Sequence, residues 1–308
     1  MADENDPATE QAQNHVDKAT DRPSTALEIA PATEEMLDDM ARICCEAFQA
    51  ISHAHGFPTD FTTVDVARHV LGRLLKHSYV VAAVEDGRVV GSNAVQMHDR
   101  VAGIGPISVA LDTQGRGIGR LLMQAVVNEA RVRGHEEMRL HQDLFNMASL
   151  GLYATLGFVV REPVVVMQAR PAEAGDPTVR DMVPEDIAAC EALCRKNYGH
   201  SRTKELLGLL HGGMRPRVRE MEGRMVAYQA GGFDGHGVGE APEDILAIMG
   251  QIAREQPTPA DKFLVPLRQH GLYQEALRKG ARAVKAMSYM SLGPYRDPRG
   301  TWLPSISM

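Results

Sequence analysis

The sequence predicts an α/β (α+β) protein built from two related halves, and three observations carry that prediction. Residues 78–97 read as two apolar strands flanking Asp86-Gly87, a two-residue hairpin turn. Residues 107–122 run from a short apolar strand through a turn carrying Gly115, Gly117 and Gly119 straight into a helical pattern of Ile118, Leu121, Leu122, Ala125 and Val126. Later in the chain the pattern starts again. Ile187, Cys190, Leu193, Cys194 and Tyr198 repeat the helical spacing of Leu37, Met40, Ile43, Cys44 and Phe48, and Glu222-Gly223 repeats the hairpin turn.

The remaining elements follow in chain order. Residues 1–25 are rich in Asp, Asn, Gln, Thr and Ala and are expected to form a disordered acidic leader. Residues 27–30 form a strand. Thr33, followed by Glu34 and Glu35, signals a helix start, because a hydroxyl cap and first-turn acids suit the free amides and positive dipole end there. Residues 52–62 are a loop and 64–76 a second helix. After the hairpin, residues 101–111 form the strand that feeds the glycine turn. A helix ends at Gly134, residues 136–144 form a strand, a helix ends at Gly157, and residues 158–168 form a β-rich run. Residues 170–178 have linker composition. The expected organisation is therefore a leader (1–25), a first domain (26–169), a linker (170–178) and a second domain (179–308).

Composition narrows the function. With 308 residues, 44% hydrophobic and 24% charged, the chain is expected to be a soluble pair of domains. No apolar run has membrane-spanning length and no apolar signal region is evident, so a cytoplasmic location is expected. Six acids against two bases in residues 1–25 supply more than half of the net charge of −7. The clustered positive charge of a nucleic-acid binder is missing. Cys44, Cys45, Cys190 and Cys194 lie within apolar helix patterns and read as small buried hydrophobes. His53 and His55 lack a third ligand at metal-site spacing, so no metal is expected.

The stretch 107–122 is the chemical centre. Glycines let the backbone approach an anion, and a helix start offers unpaired N–H groups at the positive end of its dipole. A dinucleotide fingerprint would require a glycine at position 120, which is Arg. Gln114-x-x-Gly117-x-Gly119, together with Asn146, Tyr153 and Gly157-Phe158, instead resembles the GNAT superfamily of acetyl-CoA-dependent N-acyltransferases. The order of elements over residues 27–168 is similar as well.

That resemblance implies two GNAT-like domains in tandem, each a mixed, mostly antiparallel sheet flanked by helices, the second degenerate. It implies a splayed strand whose backbone at Val109 and Leu111 meets the pantetheine arm of acetyl-CoA. Gln114, Gly115, Arg116, Gly117, Ile118, Gly119 and Arg120 would surround the pyrophosphate, and Asn146 would add a cofactor contact. Tyr153 stands where the family protonates the departing thiolate. His141 stands twelve residues before Tyr153, where one branch of the family carries a glutamate base. An alternating strand also places Arg139, His141 and Asp143 on one face, which reads equally well as a solvated polar face. His98 and Asp99 are the next candidates for the base, and His53 and His55 border the expected acceptor region. In the second half, residues 236–253 contain no Q-x-x-G-x-G and put acids where a pyrophosphate would sit. The implied activity is transfer of an acetyl group from acetyl-CoA to a primary amine, small-molecule or peptide, at a single site. A non-catalytic acyl-CoA-binding or regulatory protein is the alternative. No nucleic-acid or membrane partner is implied, and the oligomeric state stays open, a homodimer included.

Overall fold

A computed structural model describes residues 27–256 and 258–307; the expected leader at 1–25 lies outside the described residues. The first half opens with strand β1 (Leu27–Pro31), helices α1 (Leu37–Ala54) and α2 (Val64–His77), and the hairpin β2 (Tyr79–Glu85) and β3 (Arg88–Gln96). There follow β4 (Ala102–Ile104), β5 (Ser108–Val109), α3 (Ile118–Val132), β6 (Met138–Asp143), α4 (Met147–Thr155) and β7 (Val159–Gln168). The second half contains β8 (Val179–Asp181), α5 (Ile187–Tyr198), α6 (Thr203–His211), β9 (Arg217–Met221), β10 (Arg224–Gln229) and β11 (Gly237–Gly239). It continues with α7 (Pro242–Glu255), β12 (Lys262–Pro266), α8 (His270–Arg278), β13 (Arg282–Leu292) and β14 (Thr301–Leu303). Among the described residues no helix is long and apolar enough to cross a membrane.

Both hairpin turns have the same backbone. Asp86 and Gly87 have φ of 52° and 75°, and Glu222 and Gly223 have 53° and 73°, as a turn with two left-handed residues requires. Alternation then sorts the strands between two helical layers. Val80 and Ala82 face Met40 and Leu71 of α1 and α2, whereas Val81 and Ala83 face Leu122 and Val126 of α3.

The halves are joined by exchanged strands. One nine-stranded sheet runs β1-β2-β3-β4-β6-β13-β7-β12, with β5 beside β3. Strand β13 of the second half thus lies between β6 and β7 of the first, and β7 lies between β13 and β12 of the second. A five-stranded sheet of β14-β11-β10-β9-β8 completes the fold. Residues 164–167 of β7 show the physical reason for the exchange. Val164 and Val166 enter the core beneath α5 and α6, while Val165 and Met167 enter the core beneath α7 and α8. An unbroken apolar run is suited to burial on both faces, and here both of those faces belong to the second half.

Candidate functional site

The site lies where two parallel strands separate. Strands β4 and β6 pair at Ala102–Met138 and Gly103–Arg139, the parallel pair of the sheet. Beyond that point β5 stays with β3, Gly91 opposite Val109 and Ser92 opposite Ser108, while β6 stays with β13. A V opens between β5 and β6, with backbone edges on both sides. Gly91 permits the close seat of β5: a Cβ there would stand 2.7 Å from the Ser108 carbonyl oxygen.

At the mouth of the V the chain turns through residues 111–117 into α3. Gly117 precedes the helix with φ 85° and ψ 0°, a left-handed conformation that L side chains rarely adopt. Among the described residues the amides of Gly115, Arg116, Gly117, Ile118 and Gly119 donate to no acceptor; the first bonded amides are those of Arg120 and Leu121, both to the Gly117 carbonyl. Free amides in such an array can receive an anion.

The side chains around this loop have other partners. Gln114 Nε2 donates to the Val109 carbonyl at 3.0 Å. Arg116 makes two hydrogen bonds to Glu85 (2.5 and 3.0 Å), tying the loop to the hairpin. Arg120 donates to Thr155 Oγ1 at 2.8 Å and links α3 to the end of α4. Ile118 is buried in the core, so only its amide faces the loop, and Leu111 is exposed.

Tyr153 is buried on α4, on the α3 side of the sheet. Burial pushes its pKa up to about 12, against a smaller lowering by the Ser149 hydroxyl, and the Asp143 carboxylate raises it further. Its phenol therefore keeps its proton near neutral pH. Asn146 caps α4, accepting the Ser149 amide at 3.1 Å, while its carbonyl accepts from Gln142 Nε2 at 2.7 Å.

His141 does not suit the role of base. Its Nδ1 lies 3.2 Å from the Ile306 carbonyl, its ring stacks on Tyr289 at 5.0 Å, and its Nε2 is buried without a partner. Burial, then the charges of Arg202 and Arg139, hold its pKa down to about 3, against the pull of the Ile306 carbonyl. It is a neutral, weakly basic imidazole. Spacing along its own strand points to His141; the shell that encloses it comes from β13 and the chain end. Asp99 is also engaged, accepting the amides of Lys204 and Glu205 at the start of α6. His53 and His55 are exposed, and His55 stacks on Phe145 at 5.3 Å.

Sequence reasoning leaves Lys285 out of the site. It lies on β13, is 1% exposed, and bridges Asp60 Oδ2 (2.7 Å) and Asp143 Oδ1 (2.8 Å). The alternation of β6 already puts Asp143 on the face of His141. Nothing local marks Lys285, because its place depends on the strand exchange.

The second half builds its corresponding region differently. Asp244 accepts the Ala241 amide at 3.0 Å at the start of α7 and also pairs with Arg219, so a carboxylate occupies that helix end. Strand β14 lies against β11, with Trp302 opposite Val238. Gln269, just before α8, fixes Trp302 through both its carbonyl and its amide. Among the described residues no V stands open there.

A family model described as the acetyltransferase (GNAT) family matches residues 38–158. A mycothiol acetyltransferase from Thermomonospora curvata is 34% identical over 90 residues, which are 29% of this chain and 30% of that protein. The chain thus aligns with less than a third of the length of this curated relative. Among solved structures, a putative acetyltransferase from Pyrococcus horikoshii superposes with a TM-score of 0.71 at 17% identity, covering 89% of this chain and 91% of that one. A GCN5-related N-acetyltransferase from Sphaerobacter thermophilus gives 0.60 at 18%, covering 89% and 98%. At such identities the likeness is one of fold, and it extends over both halves.

Proposed function

We propose that this chain, whose residues 38–158 match a family model described as the acetyltransferase (GNAT) family, transfers an acetyl group from acetyl-CoA to a primary amine at one site in its first half. The observation that carries this reading is the free-amide loop of residues 115–119 at the mouth of a splayed strand pair, with the protonated phenol of Tyr153 on α4, the helix that Arg120 ties to α3.

Acetyl-CoA supplies an activated acyl carbon, and the protein's residues hold and orient it. The unpaired amides from Gly115 to Gly119 receive the pyrophosphate, their dipoles aligned by α3. Val109, the last residue of β5, lies on the open edge for the pantetheine arm, whereas Leu111, expected beside it, begins the turn that follows the strand. In this reading Gln114, Arg116 and Arg120 shape the loop through Val109, Glu85 and Thr155, and Asn146 fixes the start of α4. Tyr153 donates its proton to the departing sulfur.

A single site is supported by the second half. Asp244 at the start of α7 disfavours a pyrophosphate, and β14 covers the edge of β11 that a cofactor arm would need. Calorimetric titration with acetyl-CoA tests this reading: it predicts one molecule bound per chain and loss of binding in Gly117→Pro. Two molecules per chain, or binding that survives the substitution, would contradict it.

A further inference from the structure

The V has two faces, and the acceptor face lacks an assigned proton acceptor. Tyr153 lies on the α3–α4 face of the sheet. On the opposite face the register puts Asp143 opposite Met287 and His141 opposite Tyr289. Asp143 is the last residue of β6, and continuing the parallel register from Gly103–Arg139 would bring it level with residue 107 across the open V. Two residues on, Phe145 packs parallel to Phe57 at 4.7 Å and stacks with His55 at 5.3 Å. Carboxylate and aromatic wall therefore share one side of the opening.

Resting on the acetyltransferase reading, we propose that Asp143 takes the proton of the acceptor's ammonium group and that Lys285 is a positioning residue supplied by the second half. The amine proton passes to the Asp143 carboxylate. The neutral nitrogen then forms the C–N bond to the acetyl carbon as the C–S bond breaks, and the Tyr153 proton goes to the sulfur. The second nitrogen proton leaves as the amide forms and, relayed through solvent, restores the Tyr153 phenol, while Asp143 releases its proton to bulk water.

Lys285 and Asp60 decide how Asp143 behaves. The three form a nearly enclosed −/+/− group, with Asp60 contributed by the loop between α1 and α2. Lys285 aims one carboxylate oxygen, and its charge opposes the rise in Asp143 pKa that burial causes. Asp60, through its own charge, raises that pKa. A carboxylate desolvated in this way is a stronger base than one in water.

Thiol release from acetyl-CoA tests this with spermidine, tyramine and phenylalanine amide as alkylamines and methoxyamine as a nucleophile already neutral at assay pH. Asp143→Asn is expected to lose ~10²-fold in kcat/KM with the best alkylamine. It should keep its acetyl-CoA affinity and lose much less with methoxyamine. Lys285→Met should move the acid limb of the wild-type profile to higher pH, and Lys285→Arg should restore it. Full activity in Asp143→Asn, or an equal loss with both kinds of nucleophile, overturns the proposal while leaving the acetyltransferase reading in place. A wild type that releases no thiol with any amine overturns both. If Asp143→Asn does not fold, the wild-type profile decides: an acid limb seen with alkylamines must vanish with methoxyamine.

Discussion

Gln114 Nε2 and the Val109 carbonyl oxygen are 3.0 Å apart, so the first residue of the glycine loop is fastened to the strand that splays. Loop and strand edge are thereby one unit, and the loop's geometry is set before any ligand arrives. Loss of a single hydrogen bond of this kind costs about 1 kcal/mol. Gln114→Ala is accordingly expected to weaken acetyl-CoA binding by about fivefold with kcat little changed. A calorimetric titration of the variant checks this.

Arg116 and Glu85 act as a pair. If Arg116 serves the loop by holding the hairpin, then Arg116→Ala and Glu85→Ala should weaken acetyl-CoA binding to a similar degree, and the double variant should be no worse than either. An Arg116 that bound phosphate directly would show its own, larger effect, independent of Glu85. Since the Arg116 side chain is half exposed, added salt should diminish the pair's contribution.

Tyr153 is expected to act on turnover and leave binding intact. Tyr153→Phe keeps the ring in the core and removes the proton donor. We expect kcat to fall by ~10²-fold with the acetyl-CoA dissociation constant unchanged. With the phenol pKa raised to about 12, no loss of activity between pH 7 and 9 should trace to its ionisation. Parallel pH profiles for wild type and variant over that range check the second statement.

Much of this was legible in the sequence, for physical reasons. The Asp86-Gly87 turn, the glycine loop and the helix ends at Gly134 and Gly157 depend on neighbours in the chain, and all appear where local chemistry places them. The exchange of β7 and β13 was not legible, because strand partners far apart in sequence leave no local mark. The run of residues 164–167 carried half of that information, an apolar stretch suited to burial on both faces. His141 shows the cost of missing the rest: the groups that enclose it, Tyr289 and the Ile306 carbonyl, arrive with the second half. Asp143 was visible by alternation, but its partner Lys285 was not.

Buried histidines predict how the fold responds to acid. His141 and His200 are both held near a pKa of about 3, by burial first and then by nearby arginines. The free value is ~6.5, so the folded state binds fewer protons than the unfolded chain between those limits. Their contribution to stability is fully present above pH ~6.5 and is lost as pH falls toward ~3. Each histidine accounts for about 1.4 kcal/mol per pH unit within that window. Urea unfolding at pH 7, 6 and 5 should show midpoints falling steadily, and His141→Gln should flatten the slope. Identical slopes for the two proteins would count against the buried neutral form.

The most direct test of the central claim is thiol release from acetyl-CoA by the wild-type protein in the presence of a panel of primary amines, with the acetylated amine identified by mass spectrometry. The account predicts amine-dependent thiol release that is nearly abolished in Tyr153→Phe. Acetyl-CoA binding without thiol release above the solvent rate for any amine would contradict it.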